Sequence, residues 1–364
     1  MRKLITTFIL IFSFFLSSQE PLFTLVDNSK TGINFSNELV DTKEHSIFLY
    51  ANYYGGAGVG IGDFDNDGLE DIFFAANLLD DKIYKNLGNF EFEDKTKMSG
   101  IINNGSWSTG VTVADVNNDG LLDIYVSCEL YDDAPVLRRN KLYINQGSFK
   151  FKESASEWGV DVDRRTRHSV FFDYNNDGLL DLYLLNHPPN TGNFSPFFGK
   201  DMSLPEYNLQ LFENKGNHFV DVTESAGLNR SGFPNAAVIG DFNKDGWPDI
   251  YVANDFDSPD FLYFNNKDKT FTYATETSLR HTSFYSMGVD AADINNDSHL
   301  DLMVLDMTAE DNFRLKSNMS GMNPDSFWKV VNDGGHYQYM FNTLQLNNGN
   351  DTFSDIAQFT GTAA

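Results

Sequence analysis

Between residues 50 and 358 the chain is written in short apolar runs rich in Ile, Val, Leu, Phe and Tyr, separated by clusters of Asp, Asn and Gly. Runs of this kind, bounded by turn residues, predict β-strands. They recur in a fixed order. A first run, as at 58–61 and 236–239, is followed by a second at 72–75, 124–126, 182–185, 250–253 and 302–305. A third ends in an Asn-containing turn at 84–88, 143–147, 212–216, 263–267 and 345–349. A fourth, opened by Phe, follows at 90–92, 149–151, 219–221, 271–273 and 353–355. Four strands repeated at a period of fifty residues or more predict an all-β fold, a β-propeller of four-stranded antiparallel blades. The blades fall at about 50–105, 106–163, 164–231, 232–283 and 284–364, after a lead-in and N-terminal closing strand at 19–49. In that lead-in, Phe23-Thr24-Leu25-Val26 followed by Thr31-Gly32-Ile33 reads like the last strand of another blade. Five blades are therefore expected as an open arc, part of a seven-bladed ring.

Each first strand is joined to its second by the phrase Asp-x-(Asp/Asn)-x-Asp-(Gly/Ser)-x-x-Asp, beginning at Asp63, Asp115, Asp173, Asp241 and Asp293. Side-chain oxygens occupy positions 1, 3, 5 and 9. These are Asp63, Asp65, Asp67 and Asp71; Asp115, Asn117, Asp119 and Asp123; Asp173, Asn175, Asp177 and Asp181; Asp241, Asn243, Asp245 and Asp249; Asp293, Asn295, Asp297 and Asp301. Position 7 holds Leu69, Leu121, Leu179, Trp247 or His299, a variety that suits a backbone carbonyl ligand. Ca²⁺ takes six to eight oxygens, and a tight loop can turn such a set inward. Carboxylates held about 5 Å apart repel by about 3 kcal/mol per pair at an effective dielectric of about 20. Turn propensity alone would not favour the arrangement five times over, so up to five Ca²⁺ are expected. Position 6 is Gly in four copies and Ser298 in the fifth, which marks loop five as the weakest expected site.

Other calcium loops are excluded by their own requirements. An EF-hand needs a bidentate Glu at position 12, where this chain has Phe74, Val126, Leu184, Val252 and Val304. A nonapeptide β-helix would recur every nine residues. A thrombospondin-type array would be rich in cysteine, and there is one Cys. The formal charge of −26 argues against nucleic acid as a partner.

With the loop, the blade phrase runs from Asp63 to Asp71, then Tyr84 to Gly88, then Phe92-Glu93-Asp94-Lys95-Thr96 and Ser99-Gly100. In this the chain resembles the FG-GAP/VCBS repeat family, whose propellers include the head of integrin α subunits. It is similar in particular to secreted bacterial proteins related to cartilage acidic protein, of the ASPIC/UnbV type. The resemblance covers roughly residues 50 to 358 and implies Ca²⁺ on positions 1, 3, 5 and 9.

Met1-Arg2-Lys3, the apolar run 4–16 and Ser17-Ser18-Gln19 predict a signal peptide at 1–18, hence a secreted or cell-surface protein with no membrane insertion after cleavage. Cys128 reads as a buried small hydrophobe. No HExxH helix, GxSxG elbow or phosphate loop is present, and His187 and His336 read as solvent-facing loop residues, so no enzymatic activity is expected. In a meander, the long insertions at about 127–140, 186–207 and 306–340 share the edge opposite the acidic loops. That edge, with Arg164, Arg165, Arg167, His168, Trp328 and Tyr337, is the candidate ligand face. The expected role is recognition or adhesion toward an extracellular glycan or protein. The alternatives are a non-catalytic part of a larger polysaccharide-processing enzyme and a structural spacer.

Overall fold

The computed structural model describes residues 22–50, 52–131, 133–188, 204–256, 258–309, 311–318 and 323–363. The signal-peptide segment and Phe194, Phe197 and Phe198 of the second insertion lie outside these residues.

The described chain is all-β in its framework, with five antiparallel sheets of four strands in sequence order. Blade one comprises Val59–Gly62, Asp71–Phe74, Lys82–Asn86 and Phe92–Asp94. Blade two comprises Trp107–Ala114, Asp123–Glu129, Lys141–Asn145 and Phe151–Glu153. Blade three runs Arg165–Phe172, Asp181–His187, Gln210–Asn214 and Phe219–Asp221; blade four runs Pro234–Gly240, Asp249–Asn254, Phe261–Asn265 and Phe271–Tyr273. Blade five is Ser286–Ala292, Asp301–Asp306, Thr343–Asn347 and Phe353–Asp355. The outer strands of blades one and two begin two residues later than the sequence suggests. Phe90 and Phe149 lie in the preceding turns, at φ 63° and 57°.

First strands of successive blades lie side by side, as expected for strands nearest a propeller axis. The core is a series of apolar layers, one between each neighbouring pair of blades. Loop position 2 takes part in every layer. Phe64, Val116, Tyr174 and Phe242 are fully buried, and Phe64, Tyr174 and Phe242 meet the outer-strand Phe151, Phe271 and Phe353 of the next blade at ring separations of 5.8–6.4 Å. Ile294, at the same position in blade five, is half exposed, as are Val59 and Ile61 on the free face of blade one. Among the described residues, the outer face of blade five is thus open to solvent and that of blade one is only partly covered.

A glycine joint links one blade to the next. Gly100, at φ 82°, closes the helical turn after blade one, and a Cβ there would stand 2.5 Å from the Phe151 carbonyl oxygen of blade two. Gly32, after the short helix Asn28–Thr31, sits in the same way against Phe92 of blade one. The segment before it, 22–27, forms no strand and is largely exposed. Residues 33–37 continue across the free face of blade one, where Phe35 stacks on Phe74 at 4.9 Å and Asn37 exchanges hydrogen bonds with Asn77.

Candidate metal centres

All five acidic loops have the same frame. The position 1 carboxylate accepts the backbone N–H groups of positions 5 and 6, at 2.7–3.1 Å, as Asp63 does from Asp67 and Gly68. The position 5 carboxylate accepts the N–H of position 7. At position 9 the carboxylate is a clamp. One oxygen of Asp71 accepts the Phe64 N–H and the other the Asn86 N–H of strand three, and Asp123, Asp181, Asp249 and Asp301 do the same. Loop geometry demands left-handed backbone twice: at position 4, where Asn66, Asn118, Asn176, Lys244 and Asn296 have φ of 55–61°, and at position 6. Ser298 adopts φ 69° beside 83–87° for the four glycines, and its N–H still reaches Asp293.

Burial is what makes these carboxylates unusual. It pushes Asp71 up to about 6 and Asp123, Asp181 and Asp249 up to about 7, against the backbone hydrogen bonds that pull the other way. Neighbouring loop carboxylates add to the rise. In loop one, oxygens of Asp63, Asp65 and Asp71 lie within 4.8 Å of one another, and Asp65 Oδ1 is buried without a hydrogen-bond partner. An all-oxygen donor set, carboxylates buried beside one another and a buried carboxylate oxygen without a hydrogen-bond partner fit a hard divalent cation. Asp63, Asp65, Asp67 and Asp71 would hold it, with the equivalent residues in loops two to five.

The recurrent strand-three Asn does more than shape a hairpin. Its side-chain carbonyl accepts the N–H two residues on, as Asn214 does from Gly216 at 2.8 Å. Its amide group donates to the position 8 carbonyl of its own loop and also to the position 2 carbonyl of the preceding blade's loop. Asn145 reaches Phe64, Asn214 reaches Val116, Asn265 reaches Tyr174 and Asn347 reaches Phe242, at 2.7–2.9 Å. Among the described residues, the Asn86 amide group of blade one donates only within its own blade, to the Glu70 carbonyl at 2.8 Å. Repetition of Tyr/Phe-x-Asn was visible in the sequence, but the partner of each Asn lies in another blade.

On the opposite edge the candidate ligand residues are dispersed. Arg164 donates to the Asn208 carbonyl at 3.1 Å and lines a cavity of about 690 Å³ with Asn208, Gln210, Thr223, Glu224 and Asn229. Arg167 turns inward, where its guanidinium lies 3.4 Å from the buried Glu129 carboxylate and 3.4 Å from the Tyr50 hydroxyl. Arg165 pairs in register with His187, and His168 packs on Gly110, with burial pushing its imidazole pKa down. Trp328, in the helix Pro324–Asn332, is 53% exposed and Tyr337 40%, both in the connection between the second and third strands of blade five. His187 is not a loop residue. It ends the second strand of blade three, is 5% exposed, and shares a hydrogen bond of 2.9 Å with the Pro234 carbonyl. Cys128 is buried.

Four-stranded blades in this order, each with an acidic loop between its first and second strands, define the chain as a β-propeller repeat protein. The FG-GAP-like repeat model matches residues 43–126, 202–252 and 241–304, just over half of the sequence, and the chain belongs to that family. Cartilage acidic protein 1 of Xenopus tropicalis is 26% identical over 164 residues, which is 44% of this chain and 24% of that protein. The chain thus matches about a quarter of the length of this curated relative. Among solved structures, an Agrocybe aegerita lectin that recognises non-reducing terminal N-acetylglucosamine is 17% identical, with 81% of this chain and 64% of the lectin covered and a TM-score of 0.44. The Vibrio cholerae biofilm matrix protein Bap1 is 15% identical, with 61% and 30% covered and a TM-score of 0.30. No helix among the described residues is long and apolar enough to cross a membrane.

Proposed function

We propose that this chain is a secreted, calcium-stabilised recognition module without catalytic activity, whose ligand is a glycan or protein at an extracellular surface. The observation that carries this reading is the division of labour between edges. Five acidic loops with one shared frame lie on one edge, and the described parts of the insertions and the Arg164 cavity lie on the other. Bound Ca²⁺ would neutralise the clustered carboxylates and tie positions 1 to 9 of each loop together. A rigid arc then presents the variable edge to a partner, in keeping with a family whose repeats are typically calcium-binding.

Arg164 suits a carboxylate or sulfate, because a guanidinium presents a planar fork of donors. An array of extracellular glycans and surface proteins, probed with calcium-loaded protein and again after EDTA, tests the proposal. Binding to an acidic ligand is expected with calcium, and Arg164→Ala should weaken it by roughly tenfold. Folded, calcium-loaded protein that binds nothing on such an array would defeat the recognition reading.

A further inference from the structure

The five loops share a frame but not their surroundings. Immediately before the strand-three Asn, blades one to five carry Lys85, Ile144, Glu213, Phe264 and Leu346. In blade one the Lys85 ammonium pairs with both Asp65 and Asp67, at 2.7 Å from the latter, the carboxylates at positions 3 and 5 of loop one. In blade three the Glu213 carboxylate accepts a hydrogen bond from Asn175 Nδ2 at 3.1 Å, and Asn175 is position 3 of loop three. In both blades, therefore, this strand residue faces position 3 of its own loop. Loop one is the only copy with Asp at position 3, and it alone has Lys opposite. Loop three has the neutral Asn175 but gains a buried carboxylate from outside the nine-residue phrase. Lys215 and Lys269 balance that carboxylate at 2.6 and 2.5 Å, through side chains 41% and 55% exposed to solvent.

We infer that the residue before the strand-three Asn sets the cation affinity of its loop, with Lys85 a tethered cation that competes for loop one and Glu213 an added carboxylate for loop three. The inference rests on the calcium reading above and concerns how that edge is graded. A divalent ion entering loop one has to displace the ammonium from two of its ligands and stay beside a like charge. In loop three it meets one more anionic oxygen, released from flexible surface lysines. Calcium should therefore load loop three before loop one, although loop one has more Asp within its own phrase.

The amides of Gly68, Gly120, Gly178 and Gly246 each donate to the position 1 Asp, which gives one NMR reporter for each of loops one to four. A calcium titration of the ¹⁵N-glycine-labelled chain should move Gly178 at lower calcium than Gly68. Lys85→Met should tighten loop one by roughly tenfold, Lys85→Arg should leave it weak, and Glu213→Gln should loosen loop three by a similar factor. Lys85→Gln, which keeps a polar stem, replaces Lys85→Met if that variant does not fold. Gly68 and Gly178 responding together in the wild type, or Gly68 responding alike in Lys85→Arg and the neutral variants, would overturn the inference while leaving calcium binding intact. Calcium that moves none of the four reporters would overturn the calcium reading itself, and the inference with it.

Discussion

The loop-bearing edge and the insertion-bearing edge of this arc are built from the same strands, yet they differ in how much they vary. On the loop edge, all five copies repeat the same hydrogen bonds, down to the clamp at position 9. On the other edge, the connections between second and third strands differ in length in every blade, from 255–260 to 307–342. Chemistry explains the contrast. A loop that must hold several carboxylates together and meet the Asn of its neighbour has few solutions, whereas a connection whose only duty is to span two strands has many. The first edge is where stability should be concentrated, and the second is where substitutions should act on binding alone.

Removing calcium is the harshest way to break that comparison. Each filled loop adds RT ln(1 + [Ca²⁺]/Kd), about 4 kcal/mol at a thousandfold excess over Kd, so EDTA should lower the melting temperature markedly. A melt insensitive to EDTA in calorimetry would show that the loop edge holds without metal. Next in size are the Asn links. Asn214→Ala strands the carbonyls of Val116 and Leu180, one in each of two blades, and should cost about 2–3 kcal/mol. Both variants also free the N–H two residues on, but Asn86→Ala strands a single carbonyl, that of Glu70, and should cost about 1 kcal/mol less, so equal losses in urea titrations would argue against the interblade bond.

His187 tests the far edge with pH. Burial holds its folded pKa at about 4, below the unfolded value of about 6.5, so its contribution is complete above about 6.5 and is lost as pH falls toward 4. The full effect is about 3 kcal/mol. Its charged neighbours Glu129, Arg165 and Arg167 also act on it, and Asp255 and Asp260, pushed up to about 7 by burial, change stability in the opposite sense over the same window. The stability gap between wild type and His187→Gln removes those shared terms. It should shrink between pH 7 and pH 4.5, and a constant gap would refute the assignment. Smallest is Ser298→Gly. Ser298 holds φ 69°, the left-handed backbone that glycine adopts without strain and that its loop-frame hydrogen bond to Asp293 requires, so Gly should raise stability by about 1 kcal/mol while barely changing calcium affinity at loop five. A large gain in affinity would mean that the strain appears only on binding.

The blades and acidic loops were legible because each is local: strand composition, turn residues and the nine-residue spacing all lie within a few positions. The Asn links were not, since Asn214 meets a carbonyl 98 residues away. The arginines show a second limit. Arg164, Arg165 and Arg167 look like one basic cluster in the sequence, but the pairing of Arg165–Phe172 with Asp181–His187 shifts between Leu185 and Asn186, which leaves Arg167 in a bulge and turns it inward to Glu129. The same irregularity recurs in the first strands of blades two, four and five. Nothing in the composition of these strands announces it. His187 misled for a related reason, since the proline that follows it suggested a loop when the strand runs to its end.

The Asn links also imply how the molecule comes apart. Each one ties a blade only to its immediate predecessor, so blades two to four are held from both sides, whereas blade five has Ile294 half exposed at its outer face and blade one lacks an Asn bond to any earlier loop. Such an assembly behaves as a row of nearest-neighbour couplings, in which fluctuations enter at the extremities and travel inward one unit at a time. Amide hydrogens of this chain should accordingly exchange in a gradient along the row, fastest in the first and fifth sheets and slowest around Tyr174, buried between blades three and four.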